Sequence, residues 1–248
     1  MSGDTGRGTR RGRALSGVAV AVGCVLFLGG FVLTALLYQP YAVPTDSMAP
    51  SVSAGDRVLA QRIDGDEARR GDVVVFEEAQ WGDALMVKRV VGVGGDTVAC
   101  CTDDGLLTVN GEPVTEPYLD AESRAEPMEF SAEVPEGELF LIGDHRHESL
   151  DSRTMLSDSD AGSVPRDAVT ARVEATVWPP SRVGMLASAS GFADQPGGVS
   201  GSGPLLPLLW ATLAGAVLII GGALYGPVAG RRASRRTPQR AGVAGDAQ

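Results

Sequence analysis

Two long stretches without a charged side chain place the strongest constraint on how this chain folds. One covers 24 residues, Ala14–Leu37, and the other covers 21 residues, Leu205–Tyr225. As a helix, either stretch is long enough to cross a hydrocarbon core of about 30 Å. We therefore predict two transmembrane helices. The first stretch could instead be a cleaved signal peptide, but the apolar core of such a peptide has only about 7 to 15 residues.

The formal charge of −10 is distributed unevenly along the 248 residues. Residues 1–13 hold four bases and one acid, 226–248 hold five bases and one acid, and 15–225 hold 12 bases and 29 acids. The positive-inside rule then places both termini in the cytoplasm and the acidic middle on the extracytoplasmic side. We expect a multi-pass protein of the cell membrane, and the charge pattern predicts no nucleic-acid partner.

Between the two apolar stretches, short β-branched runs alternate with Gly, Asp and Pro. This pattern is typical of strands joined by turns. We predict strands at 56–63, 72–77, 84–93, 96–100, 106–110, 138–142 and 168–178. The predicted organisation is a cytoplasmic tail (1–13), a transmembrane helix (14–37), a mostly β domain (38–183) with a small excursion (102–137), a flexible linker rich in Gly and Ser (184–203), a second transmembrane helix (204–225) and a second tail (226–248).

Ser47 stands in the proline-flanked segment PTDSMAPSV (44–52), ten residues beyond the first apolar stretch. A serine between prolines is ordinarily a turn residue, so a chemical role requires a partner. The chain has 20 arginines and a single lysine, Lys88, which lies in the apolar run ALMVKRVVGV (84–93). The unequal use of the two bases indicates that Lys88 has a role that arginine cannot fill, although a lone lysine could also be an accident of composition.

Arginine keeps its proton at any accessible pH, whereas burial can lower the pKa of a lysine until the neutral amine acts as a general base. At its ordinary pKa of about 10.4, only roughly 0.4% of a lysine is neutral at pH 8. Activation of a serine by a lysine is a known form of nucleophilic catalysis. We therefore predict that Ser47 and Lys88 form a catalytic dyad.

The histidines and cysteines offer weaker alternatives. Both histidines, His145 and His147, lie in the polar segment GDHRHESLDSR (143–153), so a Ser-His-Asp triad must be considered. No GxSxG motif surrounds Ser47, which argues against that triad. Cys100 and Cys101 are adjacent, and a vicinal disulfide between them stays open. No spacing typical of a metal site occurs, and no metal or cofactor is predicted.

Six segments, taken together, resemble the successive conserved boxes of type I signal peptidases, peptidase family S26, from about residue 41 to residue 179. They are PTDSMAPSV (44–52), GDVVVF (71–76), KRVVGVGGD (88–96), TVNGEPVTEPYL (108–119), GDHRHESLDSR (143–153) and GSVPRDAVTARVEATVWP (162–179). The second apolar stretch resembles the C-terminal anchor of some Gram-positive members. The resemblance implies an antiparallel β-sheet catalytic domain of signal peptidase type, flanked by two transmembrane α-helices.

The resemblance also implies a membrane-anchored serine endopeptidase that cleaves N-terminal signal peptides from exported preproteins after small residues, at Ala-x-Ala sites. Its partners would be preprotein signal peptides and the lipid bilayer, with the export translocon as a further candidate. A catalytically silent relative that binds signal peptides, or another membrane-bound serine hydrolase, is the alternative. Cleavage of a preprotein at an Ala-x-Ala site would separate these functions.

Residue roles follow from the same resemblance. Ser47 matches the nucleophile and Lys88 the general base, Thr45 matches an oxyanion-hole hydroxyl, and Ser149 matches a serine that hydrogen-bonds and orients the lysine. Four residues match side chains that brace the site: Asp144, Arg146, Asp151 and Arg153. Six match positions lining the substrate pockets, although core packing would explain them equally well: Val43, Pro44, Met48, Val52, Met86 and Val87.

The chain departs from the family pattern at several positions. Asp46 precedes the nucleophile, Ser51 and Val52 replace the usual Thr-Leu, Gly94 replaces a proline, and His145 replaces an asparagine. None of these changes removes a predicted catalytic group. They concern the shape of the pocket and the stiffness of the turn after Lys88.

Overall fold

The computed structural model describes residues 5–82, 84–124, 128–157 and 162–234. Its contacts divide the chain into a helical unit, Met1–Leu36 with Pro204–Gln248, and a β unit, Leu37–Gly203. The predicted tails 1–13 and 226–248 lie partly outside the described residues. Three α-helices occur in the described part of the chain: α1 (Thr5–Leu37), α2 (Ala121–Arg124) and α3 (Leu205–Ser234).

The helical unit pairs α1 with α3 in antiparallel fashion along a row of small residues. Gly23 and Gly30 on α1 lie against α3, where an added Cβ at Gly23 would stand 2.9 Å from the Gly215 carbonyl oxygen. The Ser16 hydroxyl donates to the Gly222 carbonyl at 2.6 Å. Ser16, Gly23 and Gly30 are spaced by seven residues, and so are Gly215 and Gly222. Small residues at this spacing let two helix backbones approach closely, as in membrane helix pairs.

The described part of the β unit contains twelve strands. They are β1 (Tyr38–Ala42), β2 (Arg57–Arg62), β3 (Val73–Glu77), β4 (Leu85–Val93), β5 (Thr97–Cys100), β6 (Leu107–Val109), β7 (Glu112–Pro113), β8 (Phe130–Glu133), β9 (Glu138–Ile142), β10 (Val164–Pro165), β11 (Val169–Trp178) and β12 (Gly184–Met185). Each of the seven predicted strands is present within one residue at either end. The prediction of a mostly β, antiparallel fold is confirmed.

The strands form two antiparallel sheets. The larger has the order β1-β2-β11-β3-β4-β9-β10, with β12 paired to β11, and the smaller has the order β7-β6-β5-β8. The smaller sheet accounts for much of the predicted excursion, 102–137, although 125–127 lie outside the described residues. A disulfide joins Cys100 and Cys101 at the end of β5.

Strand β1 was not predicted, because Pro40 interrupts its pattern. Proline cannot donate to a sheet ladder and is tolerated at a sheet edge, which is where β1 lies. Beneath β1, a core cluster supports the turn that carries Ser47. This cluster contains Val43, Met48, Val52, Val58, Ala60, Val73, Val75, Ala171 and Val173.

The segment 184–203, predicted as a flexible linker, instead packs on the β unit over much of its length. Phe192 is fully buried in the core next to the smaller sheet. The Ser200 hydroxyl donates to the Asp72 carboxylate at 2.7 Å, and the Arg69 guanidinium donates to the Gly197 carbonyl at 3.1 Å. The Gly- and Ser-rich composition predicted mobility, but the Phe192 side chain, the Ser200 hydroxyl and the Gly197 carbonyl make contacts that hold the segment.

Candidate active site

A tight turn after β1 presents Ser47 at the surface. The Asp46 carboxylate accepts the Ala54 N–H at 2.8 Å, and the Asp46 carbonyl accepts the Ala49 N–H at 2.8 Å. The next residue, Met48, is buried in the core below the turn. Asp46, which departs from the pattern of the family that the sequence resembles, thus stabilises this turn by accepting hydrogen bonds through both its side chain and its backbone.

Lys88 reaches Ser47 from strand β4. It pairs with Val74 of β3, and its side chain is almost fully buried, with 3% exposed. The Lys88 Nζ donates to the Ser47 Oγ at 2.6 Å. The structure therefore brings together the two residues predicted to form the dyad, which are 41 positions apart in the chain.

Burial lowers the pKa of Lys88 from 10.5 to about 8. The carboxylates of Asp151 and Asp144 oppose this shift, while the charge of Arg153 adds to it. Desolvation penalises the charged ammonium and outweighs the attraction of the two carboxylates. At pH 8 roughly half of a lysine with this pKa is neutral, compared with well under 1% of an ordinary lysine.

Thr45 and Ser149 occupy different positions relative to Ser47. The Thr45 hydroxyl is exposed and lies 3.3 Å from the Ser47 Oγ. The Ser149 Oγ is buried and has no hydrogen-bond partner among the described residues, so no hydrogen bond joins it to Lys88. Ser149 and the Ser47 carbonyl both lie against Gly143, where an added side chain would collide with each of them.

The two histidines do not present their rings to Ser47. The His145 backbone N–H donates to the Ser47 carbonyl at 3.1 Å, and its ring Nδ1 lies 3.8 Å from the Glu148 carboxylate. His147 is exposed. The hydrogen bonds to the Ser47 Oγ within the described part of the chain come from Lys88 and Thr45, which does not favour the triad alternative.

The four residues predicted to brace the site are all buried. Three of them, Asp144, Asp151 and Arg153, belong to two ion pairs next to Lys88. Asp144 makes a two-point ion pair with Arg89 at 2.8 and 2.7 Å. Asp151 pairs in the same way with Arg153 at 2.9 and 2.7 Å, and it also accepts the Gly143 N–H. Two-point arginine–carboxylate pairs are the strongest ion pairs in geometry and energy.

Sequence reasoning missed three buried members of this network: Arg89, Glu116 and Tyr118. Arg89 contributes to the pair with Asp144, donates to the Gly71 carbonyl at 2.8 Å, and contacts the Ser51 hydroxyl at 3.3 Å. Its pKa is raised, chiefly by the Asp144 charge, which overcomes the effect of burial. The sequence contained one sign that Arg89 has a role: it is a second base, directly after Lys88, in an otherwise apolar strand.

A groove of about 210 Å³ lies beside the dyad. It is lined by Tyr41, Ala42, Val43, Pro44, Thr45, Ser47, Met48, Val75, Ala84, Leu85, Met86, Val87 and Lys88. Five of the six predicted pocket residues are in this lining. Val52 is not, because it is fully buried in the core cluster under the turn.

Strand edges that have no partner in the described part of the chain border the groove. Strand β4 pairs with β9 only from Arg89 onward, so Leu85–Lys88 have a free edge on that side. Strand β1, which leads into Val43 and Pro44, is the edge strand of its sheet. Free edges can pair with an extended peptide through backbone hydrogen bonds, and the apolar walls can receive its side chains.

Known proteins resemble this chain in sequence. A family model described as signal peptidase, peptidase S26, matches residues 14–178. The chain is 31% identical over 223 residues to the probable signal peptidase I of Mycobacterium leprae, covering 66% of this chain and 77% of that protein. It is 33% identical over 224 residues to signal peptidase I of Mycobacterium tuberculosis, covering 70% and 75%. A crystal structure of a signal peptidase I from Enterococcus faecalis aligns with a TM-score of 0.35 and 28% identity, over 41% of this chain and 92% of that one.

Because Lys88 is the only lysine, its protonation can be measured without interference from other side chains. Biosynthetic labelling with lysine carrying ¹³C at Cε should give one NMR signal in the full-length protein in detergent. We expect that signal to titrate with a midpoint of about 8, since burial lowers the pKa of this amine. Its absence in Lys88→Arg confirms the assignment, and a midpoint above 10 would contradict the electrostatics described above.

Proposed function

The chain belongs to the signal peptidase family, peptidase S26, and is a type I signal peptidase that acts on the signal peptides of preproteins; we propose that it cleaves them with Ser47 as nucleophile and Lys88 as general base. The observation that carries this proposal is the 2.6 Å contact between the Ser47 Oγ and a buried Lys88 Nζ. A nucleophile and its base within hydrogen-bond reach are the minimum geometry for this chemistry. No cofactor takes part in the proposed reaction.

In the proposed reaction, the neutral Lys88 amine accepts the Ser47 proton as the Ser47 Oγ bonds to the scissile carbonyl carbon. The resulting ammonium then gives that proton to the leaving nitrogen, and the peptide bond breaks to leave an acyl-enzyme. In the second half, Lys88 takes a proton from water as the water oxygen bonds to the acyl carbon. The ester bond to the Ser47 Oγ then breaks, the ammonium returns the proton to that oxygen, and the peptide leaves with a free carboxyl terminus. A base with a pKa near the working pH suits both directions of transfer.

The negative charge that develops on the carbonyl oxygen needs donors. We assign this role to the Ser47 backbone N–H and the Thr45 hydroxyl, which is 3.3 Å from the Ser47 Oγ. Removing one such donor can cost about 3 kcal/mol of transition-state stabilisation. We also assign to Ser149 the orientation of the Lys88 amine, since its hydroxyl is buried and has no hydrogen-bond partner among the described residues in the absence of substrate.

The groove supports a proposed preference for small residues before the cleaved bond. In an extended peptide, alternate side chains point to the same side. The first and third residues before the cleaved bond would therefore both face the wall formed by Val43, Pro44, Met48, Met86 and Val87. We propose that this apolar wall receives the two alanine side chains of an Ala-x-Ala site.

We further propose that α1 and α3 both span the cell membrane, with both termini in the cytoplasm and the β unit outside. The antiparallel pairing of these helices supports this arrangement, because Ser16 near the start of α1 contacts Gly222 near the end of the apolar part of α3. Ser47 follows Leu37 by only ten residues in the chain. A signal peptide in the same bilayer would present its cleavage site just outside the membrane, and the export translocon is a candidate partner there.

Substitution of the two dyad residues tests the chemistry. We expect Ser47→Ala and Lys88→Arg each to reduce kcat for a preprotein with an Ala-x-Ala site by 100-fold or more, since general-base catalysis alone contributes about 10²- to 10⁴-fold. The arginine variant keeps the positive charge but cannot accept a proton. The matched control, His145→Ala with His147→Ala, should retain most of the activity.

Three results would count against parts of this proposal. Substantial activity in Lys88→Arg would mean that Lys88 acts through its charge. A loss in the double histidine variant as large as that in Ser47→Ala would favour the triad. Normal binding of the signal peptide without any turnover by the wild type would instead identify a silent relative.

The membrane topology can be tested with epitope tags at both termini. In right-side-out vesicles treated with external protease, both tags should stay intact, and detergent should expose both to digestion. Loss of the C-terminal tag alone in sealed vesicles would show that α3 does not span the membrane as proposed.

A further inference from the structure

The segment between β12 and α3, residues 186–203, has no part in the mechanism above, although it makes buried contacts with the rest of the β unit. We call this segment the strap. We propose that Ser200 and Phe192 of the strap are positioning residues for Lys88, because they hold the two residues that bond to strand β4 directly after Lys88. This inference rests on the proposed Ser47/Lys88 chemistry, since it concerns the position of the base.

Ser200 holds the strap to Asp72, the residue before strand β3. The Ser200 hydroxyl donates to the Asp72 carboxylate at 2.7 Å, and the same carboxylate oxygen accepts the Arg69 N–H at 2.9 Å. Asp72 is buried, and the Arg172 guanidinium lies 3.9 Å from this oxygen. Burial raises the pKa of the Asp72 carboxyl, while these two hydrogen bonds and the charges of Arg172 and Arg89 oppose that effect. Because a buried carboxylate that loses a hydrogen bond keeps its desolvation cost, Ser200 restricts where this carboxylate can lie.

Phe192 and Ala189 hold the strap against Gly71, the residue before Asp72. Phe192 is fully buried in a core cluster that also contains Val91 of β4. Gly71 has a φ angle of +86°, and an added Cβ there would stand 2.5 Å from the Ala189 Cβ and 3.4 Å from the Phe192 ring. The strap therefore lies directly on the backbone of Gly71, where both the conformation and the available space require glycine.

Gly71 and Asp72 in turn bond to the two residues that follow Lys88. The Gly71 N–H donates to the Val90 carbonyl at 2.7 Å, and the Val90 N–H donates to the Asp72 carbonyl at 2.8 Å. The Gly71 carbonyl accepts from the Arg89 Nη1 at 2.8 Å. Lys88 itself pairs with β3 on one side only, because the pairing of β4 with β9 begins at Arg89. The position of Lys88 therefore depends on how firmly Arg89 and Val90 are held.

The strap is expected to affect the base and not the binding of substrate. No residue of the strap, all of which the structure describes, lines the groove beside the dyad. A displacement of residues 71–72 would instead move residues 89–90, and with them the Lys88 Nζ relative to the Ser47 Oγ. Because a misplacement of about 1 Å can cost about 100-fold in rate, a loosened strap should lower kcat and leave KM nearly unchanged.

Variants of Ser200 in the full-length protein test this inference, with a preprotein substrate in detergent. Ser200→Ala should lower kcat about 5- to 20-fold, with KM within about 2-fold of the wild type, because the reacting groups move by less than about 1 Å. Ser200→Thr keeps the hydroxyl and should restore most of the rate. The matched control, Ser202→Ala, changes an exposed serine two positions further along the strap and should match the wild type.

The apolar anchor is tested in the same way. Phe192→Ala leaves a cavity next to Gly71 and should lower kcat more than Phe192→Leu, which keeps an apolar side chain there. Thermal unfolding of each variant in detergent reports the structural effect separately. If Phe192→Ala fails to fold, the Ser200 series still decides, because Ser200→Ala removes a single hydroxyl from a half-buried position.

A double variant and the Lys88 NMR signal show whether the effect passes through Asp72 to the base. Asp72→Ala removes the acceptor of the Ser200 hydrogen bond, so adding Ser200→Ala to it should lower kcat no further. The chemical shift of the single Lys88 signal should change in Ser200→Ala, return in Ser200→Thr and stay unchanged in Ser202→Ala. A general loss of stability would not produce this pattern.

The inference fails if Ser200→Ala retains the wild-type kcat and Lys88 signal. It also fails if Ser200→Thr is as slow as Ser200→Ala, if the losses from Ser200→Ala and Asp72→Ala multiply in the double variant, or if KM rises at constant kcat. Each of these results leaves the Ser47/Lys88 chemistry in place as long as Lys88→Arg is inactive. Activity in Lys88→Arg would contradict that chemistry itself, so the two failures can be distinguished.

Discussion

The burial of Lys88 against Ser47 is the interaction on which the rest of the site depends. The Lys88 amine lies 2.6 Å from the Ser47 Oγ and next to two carboxylates, Asp144 and Asp151, that favour its protonated form. Each carboxylate is held in a two-point pair with an arginine that cannot lose its own proton. The arginine charges in these pairs reduce the effect of the carboxylates on Lys88. Desolvation therefore dominates, and the pKa of Lys88 falls to about 8.

The same strand supplies both the base and one wall of the groove. Residues of β4 pair with β3 on one side, which sets the position of Lys88, and leave the Leu85–Lys88 edge free on the other. Ser47, in contrast, lies on a turn, and it depends on the Asp46 side chain and on the His145 N–H for its position. A site with a rigid base and a loop-held nucleophile is sensitive to whatever supports the loop, and here that support is a buried network of charges.

Much of this arrangement could be predicted from local sequence. Strand periodicity located both ends of seven strands to within one residue. The single lysine, taken together with a proline-flanked serine elsewhere in the chain, predicted the pair that the fold brings together. The charge network could not be predicted in the same way. Arg89 and Asp144 are 55 residues apart, and Arg146 and Glu116 are 30 apart, so their pairing depends on tertiary structure.

Composition was also an incomplete guide to packing. The Gly- and Ser-rich segment 184–203 predicted a mobile linker, yet the fully buried Phe192 side chain anchors it to the core. Val52 was expected in the substrate pocket, but the turn directs it into the core cluster below. From the sequence alone, an apolar residue near a site can be assigned either to the substrate pocket or to the core. Only the direction of its side chain in the structure distinguishes the two.

The most direct test of the account is the pH dependence of kcat/KM for the full-length wild type, measured in detergent with a preprotein substrate that carries an Ala-x-Ala site. If neutral Lys88 is the base, activity should rise with pH along a single acidic limb with a midpoint of about 8, because that is where burial places the pKa of this amine. An acidic limb centred near 6.5, the ordinary pKa of histidine, would contradict the account.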